Sequence, residues 1–380
     1  MAALLRALLT QINSVVRLCE VHDRASIELV RSSTAPSGES FDGVWVSGLT
    51  QTTSFGLTDS ELISPLKRAL LMTPVYHPTQ KNERQLCAAF DADSGGELEE
   101  IPALVLILAI NGISMIVIED KAVTKPGEKV NSLLATSDAQ GQADMYQFAN
   151  IIRAFKAAAL DKDIMITARI ESFTTRRIRL DPEEEQQSVQ AALQDAVARA
   201  KVYSEAGVDA IMIHSKSKEP DEVIWFLGRF RERNITLPLV VVPTAYSKTE
   251  RSKLAAAGAN VFIYGNHLMR ARIKTAAETL EEVLAKKPDL FVGDSELRPA
   301  FEARNYGYLL RKLAERRYLG ERDDSEEYTY GLAAEKNAVE NMKAVVKDLA
   351  GGRLCGCEAD ERIVSVKELL SINGRQVSPL

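Results

Sequence analysis

The feature of this chain that most limits its fold is a series of eight short apolar or β-branched runs, each too brief for a helix and bounded by turn residues. They fall at residues 15–19, 44–46, 86–90, 115–118, 165–168, 210–213, 239–242 and 261–263. Near-continuous apolar runs of this length suit strands buried on both faces, as in parallel sheets. Between most of them the apolar residues recur at helical spacing, as over 189–206 and 221–231, which is the alternation of βα units. Ala206-Gly207 and Ala257-Gly258, each just ahead of a strand run, place glycine where a helix ends. Eight such units close into a (β/α)8 TIM-type barrel, and no Gly-rich dinucleotide loop favours an open doubly wound sheet instead. With 380 residues and 46% hydrophobic composition the chain can bury one large core and carry an appendage, so the barrel is assigned to 1–285.

The remainder is organised around that barrel. Leu4, Leu5, Leu8, Leu9, Ile12 and Val16 recur at helical spacing and predict a first core-facing helix rather than a transit peptide. The apolar stretch 101–118 is divided by Pro102 and Asn111-Gly112 into a helix and a strand, so no membrane span is needed. Residues 286–361 are charged and Tyr-rich, with candidate helices at 297–318 and 331–349. Phe301, Tyr308, Leu309 and Leu313 could form one apolar stripe there, which predicts a helical insertion packed on the barrel or on another subunit. Residues 362–380 are read as the tail of the barrel domain. A net charge of −6 and a pI near 5.5 exclude a nucleic-acid partner, because no basic stripe can displace counterions from a phosphate backbone. Cys19, Cys87, Cys355 and Cys357 are too few and scattered for a disulfide framework, which points to a reducing cytoplasm, and the pair Cys355-Gly-Cys357 is assigned no role.

In a barrel of this kind reacting groups project from the C-terminal ends of the strands. Polar residues gather at those ends here: Ser47-Gly48, Asp91 to Gly96, Glu119-Asp120-Lys121, Arg169 and Glu171, His214-Ser215-Lys216, Pro243-Thr244 and Asn266-His267. Asp91, Asp93, Glu119 and Asp120, from two adjacent strand ends, would repel one another unless a cation or basic side chains sat among them. Hard oxygen ligands with no nearby cysteine suit Mg2+ or Mn2+ rather than zinc. Arg169 and His214 supply donors across the same rim, and Arg is shaped to hold a pair of phosphoryl or carboxylate oxygens. The constellation describes a site for a phosphorylated or phosphonylated acid.

These residues resemble the phosphoenolpyruvate mutase branch of the isocitrate lyase superfamily. The motifs are Val44-Trp45-Val46-Ser47-Gly48-Leu49 with Asp59 a short way on, Asp91-Ala92-Asp93-Ser94-Gly95, Glu119-Asp120-Lys121 followed by Asn131-Ser132, and Arg169-Ile170-Glu171. Ile213-His214-Ser215-Lys216, Val242-Pro243-Thr244, Asn266-His267 and a tail running from Ile363 to Glu368 complete the set. The resemblance implies that Asp91 binds Mg2+ directly, with Asp59, Asp93 and Glu119 reaching it through water. It implies that the Ser47-Gly48 amides hold a substrate carboxylate, that Trp45 lines the pocket with Leu49 and Lys121 beside the substrate, and that Arg169, His214 and Asn131 bind a phosphoryl group. Asn131 would come from a loop that closes over the site. The implied activity is interconversion of phosphoenolpyruvate and phosphonopyruvate, the step that forms a carbon–phosphorus bond for phosphonate biosynthesis, and family analogy implies a homotetramer.

Two other reactions share such a site. Between Lys121 and Asn131 the chain reads Ala-Val-Thr-Lys-Pro-Gly-Glu-Lys-Val, longer than the compact lid usual in the mutases. Because that lid governs water exclusion, phosphonopyruvate hydrolase stands as the nearest alternative. A carbon–carbon lyase of the isocitrate lyase type is disfavoured, since no Cys or His acid lies on the lid. A non-catalytic binding barrel is disfavoured by the full set of rim residues.

Overall fold

A computed structural model describes residues 2–11, 15–75, 84–132, 140–233, 235–286 and Leu369. Helix α1 (Ala2–Thr10) precedes strand β1 (Val16–Val21), followed by α2 (Arg24–Ser32), β2 (Gly43–Val46), α3 (Gly48–Ser54), α4 (Pro65–Leu71) and β3 (Cys87–Asp91). Helix α5 (Ile101–Ile110), β4 (Met115–Glu119), α6 (Met145–Ala158), β5 (Met165–Ile170), α7 (Ser172–Thr175) and α8 (Pro182–Glu205) come next. The chain continues through β6 (Ala210–Ile213), α9 (Asp221–Arg231), β7 (Leu239–Val241), α10 (Arg251–Ala256), β8 (Val261–Tyr264) and α11 (His267–Lys286). The eight strands pair in sequence order, all parallel, and β1 closes on β8. This is the (β/α)8 barrel the apolar runs imply.

Alternate strand residues fill the barrel interior, among them Leu18, Trp45, Ala89, Met115, Val117, Met165, Met212 and Val240. The opposite set packs outward beneath the helices, where Ile116, Ile118, Phe148, Phe155, Phe226 and Phe230 belong to the larger core. Each such side chain taken wholly out of water contributes about 1.5–3 kcal/mol before conformational entropy is counted. Leu5 is buried in the interior cluster, so α1 caps one end of the barrel. The apolar spacing that suggested a longer first helix overran the element: Val16 lies in β1, and Ile12 lies outside the described residues.

Gly207 and Gly258 take positive φ, +92° and +113°, just past α8 and α10, as the Ala-Gly endings predict. Helix α8 starts earlier than its apolar spacing suggests, because Asp181 accepts from the Glu183 and Glu184 amides and Pro182 occupies the first turn. Strands β3, β4 and β5 run one or two residues beyond their last apolar run. Glu119 and Arg169 face each other in the β4–β5 register, so these charges belong to the ladder itself. The candidate helices at 297–318 and 331–349 and the Cys355/Cys357 pair lie outside the described residues. Leu369 is buried and packs with Leu49 and Met269. Among the described residues no helix is long and apolar enough to cross a membrane, and Cys19 and Cys87 are free thiols.

Candidate active site

One cavity enclosing about 550 Å3, its open mouth included, sits at the C-terminal rim. Trp45, Ser47, Leu49, Asp59, Asp91, Glu119, Lys121, Asn131, Arg169 and His214 all line it, which brings together ten side chains singled out in the sequence. Its remaining wall comes from Lys129, Ser132, Met212, Val242, Thr244, Gly265 and Asn266.

The acidic wall is built on β3 and β4. The Gly48 amide donates to Asp91 Oδ2 at 3.2 Å, which points the start of α3 at the same carboxylate. A Cβ at position 48 would lie 3.2 Å from both Asp91 Oδ2 and Asp93 Oδ1, so glycine permits this close approach. Burial raises the Asp91 carboxyl to about 6, helped by the nearby Asp93 charge. Both Glu119 carboxylate oxygens are buried without a hydrogen-bond donor; the nearest cation is Arg169, 3.3 Å away.

Asp93 is not on the cavity wall. It adopts φ +49° and turns its oxygens to two buried cations, Arg68 at 2.6 Å and Lys129. Burial alone would raise its pKa, but those two cations outweigh it and hold the carboxyl at about 2. Asp120, counted with the acidic cluster in the sequence, points away from the cavity. Its carboxylate accepts from Tyr203 Oη at 2.7 Å, Arg199 Nη1 at 3.1 Å and the Glu171 amide at 2.9 Å, locking β4 to α8 and β5. It is a structural anchor, and the strand alternation that turns Glu119 inward is what turns Asp120 outward.

The basic wall is built on β5 and β6. Arg169 Nε pairs with Glu171, while Nη2 donates to Ser132 Oγ at 2.8 Å and approaches His214 Nδ1 at 3.0 Å. Arginine can only donate, so its bond to Nδ1 calls for the imidazole proton on Nε2, while Glu171 Oε2, 3.6 Å from the same nitrogen, favours the proton on Nδ1. Burial lowers the His214 pKa, and the Arg169 charge lowers it further. Burial also works against the Arg169 charge, yet Glu171 and Glu119 raise its pKa overall. Glu171 therefore holds the guanidinium in place.

The loop after β4 roofs the cavity. An antiparallel bridge between Lys121 and Gln142 ties its stem, and the Val130 amide donates to Gln140 Oε1 at 2.7 Å. Lys121 Nζ donates to the Val130 carbonyl at 3.0 Å and to Ser132. Lys129 reaches down to Asp59 Oδ1 at 2.9 Å and to Asp93, and Asn131 Nδ2 donates to Asp59 Oδ2. Lys129, Ser132 and Glu171 were given no role in the sequence. Lys129 sits in a run with the composition of any surface turn, and only its burial, at 6% exposed, sets it apart.

The donor set fits a hard divalent cation. Asp91 and Glu119 offer oxygen only, and the two Glu119 oxygens lack hydrogen-bond partners. Among the described residues no group of three His, Cys, Asp or Glu side chains is arranged to hold a metal ion, so a cation here would rest on Asp91 and Glu119 and take its other ligands from water and substrate.

Fold and site together place the chain among the (β/α)8 barrels that carry their functional groups on the C-terminal rim. The profile of the phosphoenolpyruvate phosphomutase family matches residues 5–284, and the chain belongs to that family. It is 29% identical over 300 residues to a phosphoenolpyruvate phosphomutase of Tetrahymena pyriformis, covering 74% of this chain and 88% of that one. It is equally 29% identical over 245 residues to a phosphonopyruvate hydrolase of Variovorax sp. (strain Pal2), covering 64% and 75%. The crystal structure of a phosphoenolpyruvate phosphomutase from Streptomyces platensis subsp. rosaceus superposes with a TM-score of 0.61 at 29% identity, over 84% of this chain and 99% of that one. The relatives at 25–29% identity are enzymes, named as phosphoenolpyruvate phosphomutases and a phosphonopyruvate hydrolase.

Proposed function

We propose that this protein is a Mg2+-dependent phosphoenolpyruvate mutase that interconverts phosphoenolpyruvate and phosphonopyruvate. The observation that carries this reading is the seated lid: Lys129, Asn131 and Ser132 reach from the loop into the cavity and bond to both of its walls. A phosphoryl group released from oxygen and recaptured by carbon must be shielded from water in between, and a roof pinned to both walls provides that shield.

The roles follow from position around the rim. Asp91 and Glu119 would hold the cation, which would supply Lewis-acid stabilisation of negative charge developing on the three-carbon acid. The amides at Ser47-Gly48 would take the substrate carboxylate beside it, the Gly48 amide exchanging its bond to Asp91 for one to the substrate. Arg169, His214 and the lid groups would hold the phosphoryl group in its metaphosphate-like state. Trp45, Met212 and Val242 supply the apolar floor. A related phosphonopyruvate hydrolase of known structure, 25% identical with a TM-score of 0.59, contains oxalate and Mg2+, and this chain's donors are compatible with such a pair.

Phosphonopyruvate hydrolase is the second reading, favoured by the relative of equal identity and by the lengthened lid. Phosphorus NMR of the enzyme supplied with phosphonopyruvate and Mg2+ separates the two. Growth of a phosphoenolpyruvate signal is expected; inorganic phosphate without it overturns the mutase assignment. A homo-oligomer in the cytoplasm is proposed on family analogy.

A further inference from the structure

Arg68 is fully buried in α4 and does not line the cavity, yet it touches three parts of the site's scaffold. Its Nη2 donates to Asp93 Oδ2 at 2.6 Å and to the Asp91 main-chain carbonyl. Its Nη1 donates to Gln51 Oε1 at 3.0 Å, and Gln51 Nε2 returns a bond to the Arg68 carbonyl at 3.0 Å. The guanidinium also stacks on Phe90, 4.9 Å from the ring centre.

A buried guanidinium is costly unless its donors are matched; Arg68 Nε has no hydrogen-bond partner among the described residues, so the bonds of Nη1 and Nη2 mark what the side chain is held there to do. Here they bracket the turn Asp91-Ala92-Asp93. Asp93 adopts a left-handed φ, a conformation that a non-glycine residue keeps only when its surroundings fix it. Arg68 grips that turn at the carbonyl before Ala92 and the carboxylate after it, from outside the barrel. Through Gln51 the same side chain grips α3, whose first amide faces Asp91.

We propose that Arg68 is a positioning residue: it holds the Asp91-Ala92-Asp93 turn and, through Gln51, the start of α3 in one register, so that Asp91 meets the divalent cation beside the end of α3 that faces the substrate carboxylate. This rests on the proposed function for what the two groups bind. Lysine cannot replace the fork, because one ammonium on a flexible stem cannot span the Asp91 carbonyl, Asp93 and Gln51 together.

The test is Arg68→Lys in the full chain, which keeps the charge and removes the fork. Mn2+ serves as the probe, titrated by electron paramagnetic resonance well below the melting temperature, with circular dichroism to verify folding. The expected result is a folded protein whose Mn2+ dissociation constant rises about tenfold and whose kcat falls more than its stability. Gln51→Met, which releases only α3, is expected to raise KM for the three-carbon acid with Mn2+ affinity kept, and it stands in if the lysine variant does not fold. A folded Arg68→Lys protein with wild-type Mn2+ affinity, or a Gln51→Met protein with wild-type KM, reduces Arg68 to a packing residue and overturns the proposal. Absence of Mn2+ binding by the unaltered chain overturns it as well. The Mn2+ titration needs no turnover, so a protein inactive on both phosphorus acids refutes the mutase reading without deciding the role of Arg68.

Discussion

Lys129→Met offers the most direct probe of the acidic wall. The Lys129 ammonium is buried 2.9 Å from Asp59, is paired with Asp93, and lies 3.9 Å from Glu119. Burial alone would lower its pKa, but Asp59 and Asp93 raise it well above the ordinary lysine value, so it is charged at neutral pH. Methionine keeps most of the stem and deletes the charge. Breaking a buried pair by removing one partner costs about 3–5 kcal/mol, because the carboxylates left behind stay desolvated. A divalent cation bound at Asp91 and Glu119 restores positive charge within the same cluster. The variant should therefore be destabilised in EDTA yet gain more from Mg2+ than the unaltered protein does. A site that is tenfold to a hundredfold tighter adds about 1.4–2.7 kcal/mol at a fixed saturating Mg2+ concentration. With each kcal/mol worth roughly 2–4 °C for a domain of this size, the Mg2+-induced rise in Tm should be larger by about 3–10 °C. Thermal unfolding of both proteins with EDTA and with Mg2+ measures it. Equal Mg2+-induced shifts would show that the cation binds beyond the reach of Lys129, and the assignment of the acidic wall would fail.

Arg169→Lys should lower kcat/KM by about 10^2 to 10^4, since lysine cannot keep the bonds to Ser132 and His214 together and each charge-assisted bond is worth about 1.5–3 kcal/mol; steady-state turnover of phosphonopyruvate checks it, and an unchanged value refutes the role. Burial first, and then the Asp93 charge, raise the Glu61 carboxyl from 4.5 to about 7, so the stability this group gives is complete below pH 4.5 and lost as pH rises through 7. Glu61→Gln should therefore stabilise the protein on the order of 2–3 kcal/mol at pH 8 and hardly at all at pH 4.5, read by urea unfolding; a gain independent of pH contradicts the reasoning. Tyr203→Phe removes a 2.7 Å donor from buried Asp120 and should cost about 1–3 kcal/mol while leaving Mn2+ affinity unchanged, whereas a loss of Mn2+ binding would return Asp120 to the metal site.

The barrel was legible because parallel strands buried on both faces leave a signal that needs no tertiary context: eight apolar runs of the right length, separated by helical spacing. The rim was legible for the same reason, since the last residues of those runs are where polar groups become unavoidable. Glu119 and Asp120 mark the limit of that logic. They are adjacent and chemically alike, and only the two-residue period of β4 sends Glu119 into the cavity and Asp120 to Arg199 and Tyr203. The sequence holds that period, but applying it requires knowing that the strand extends to Glu119, one residue past its last apolar side chain.

Arg68 and Lys129 could not have been found from local pattern at all. Arg68 follows Lys67 on a short helix and reads as a solvated surface charge, and Lys129 sits between Glu128 and Val130 in a loop. Each is buried because carboxylates far away in the chain, Asp93 for both and Asp59 for Lys129, have to be neutralised. The repulsion inferred among the rim carboxylates called for a cation or basic side chains, without saying how much of the charge the chain itself supplies. Arg68 neutralises from behind the turn and stays clear of the cavity, while Lys129 neutralises from the lid and lies at its wall. Under the proposed mutase reading, a lid that lodges its own cation among the carboxylates links closure to the electrostatic balance of the site. Release of that lysine leaves uncompensated charge on the acidic wall, so an open lid is disfavoured unless something else positive takes its place.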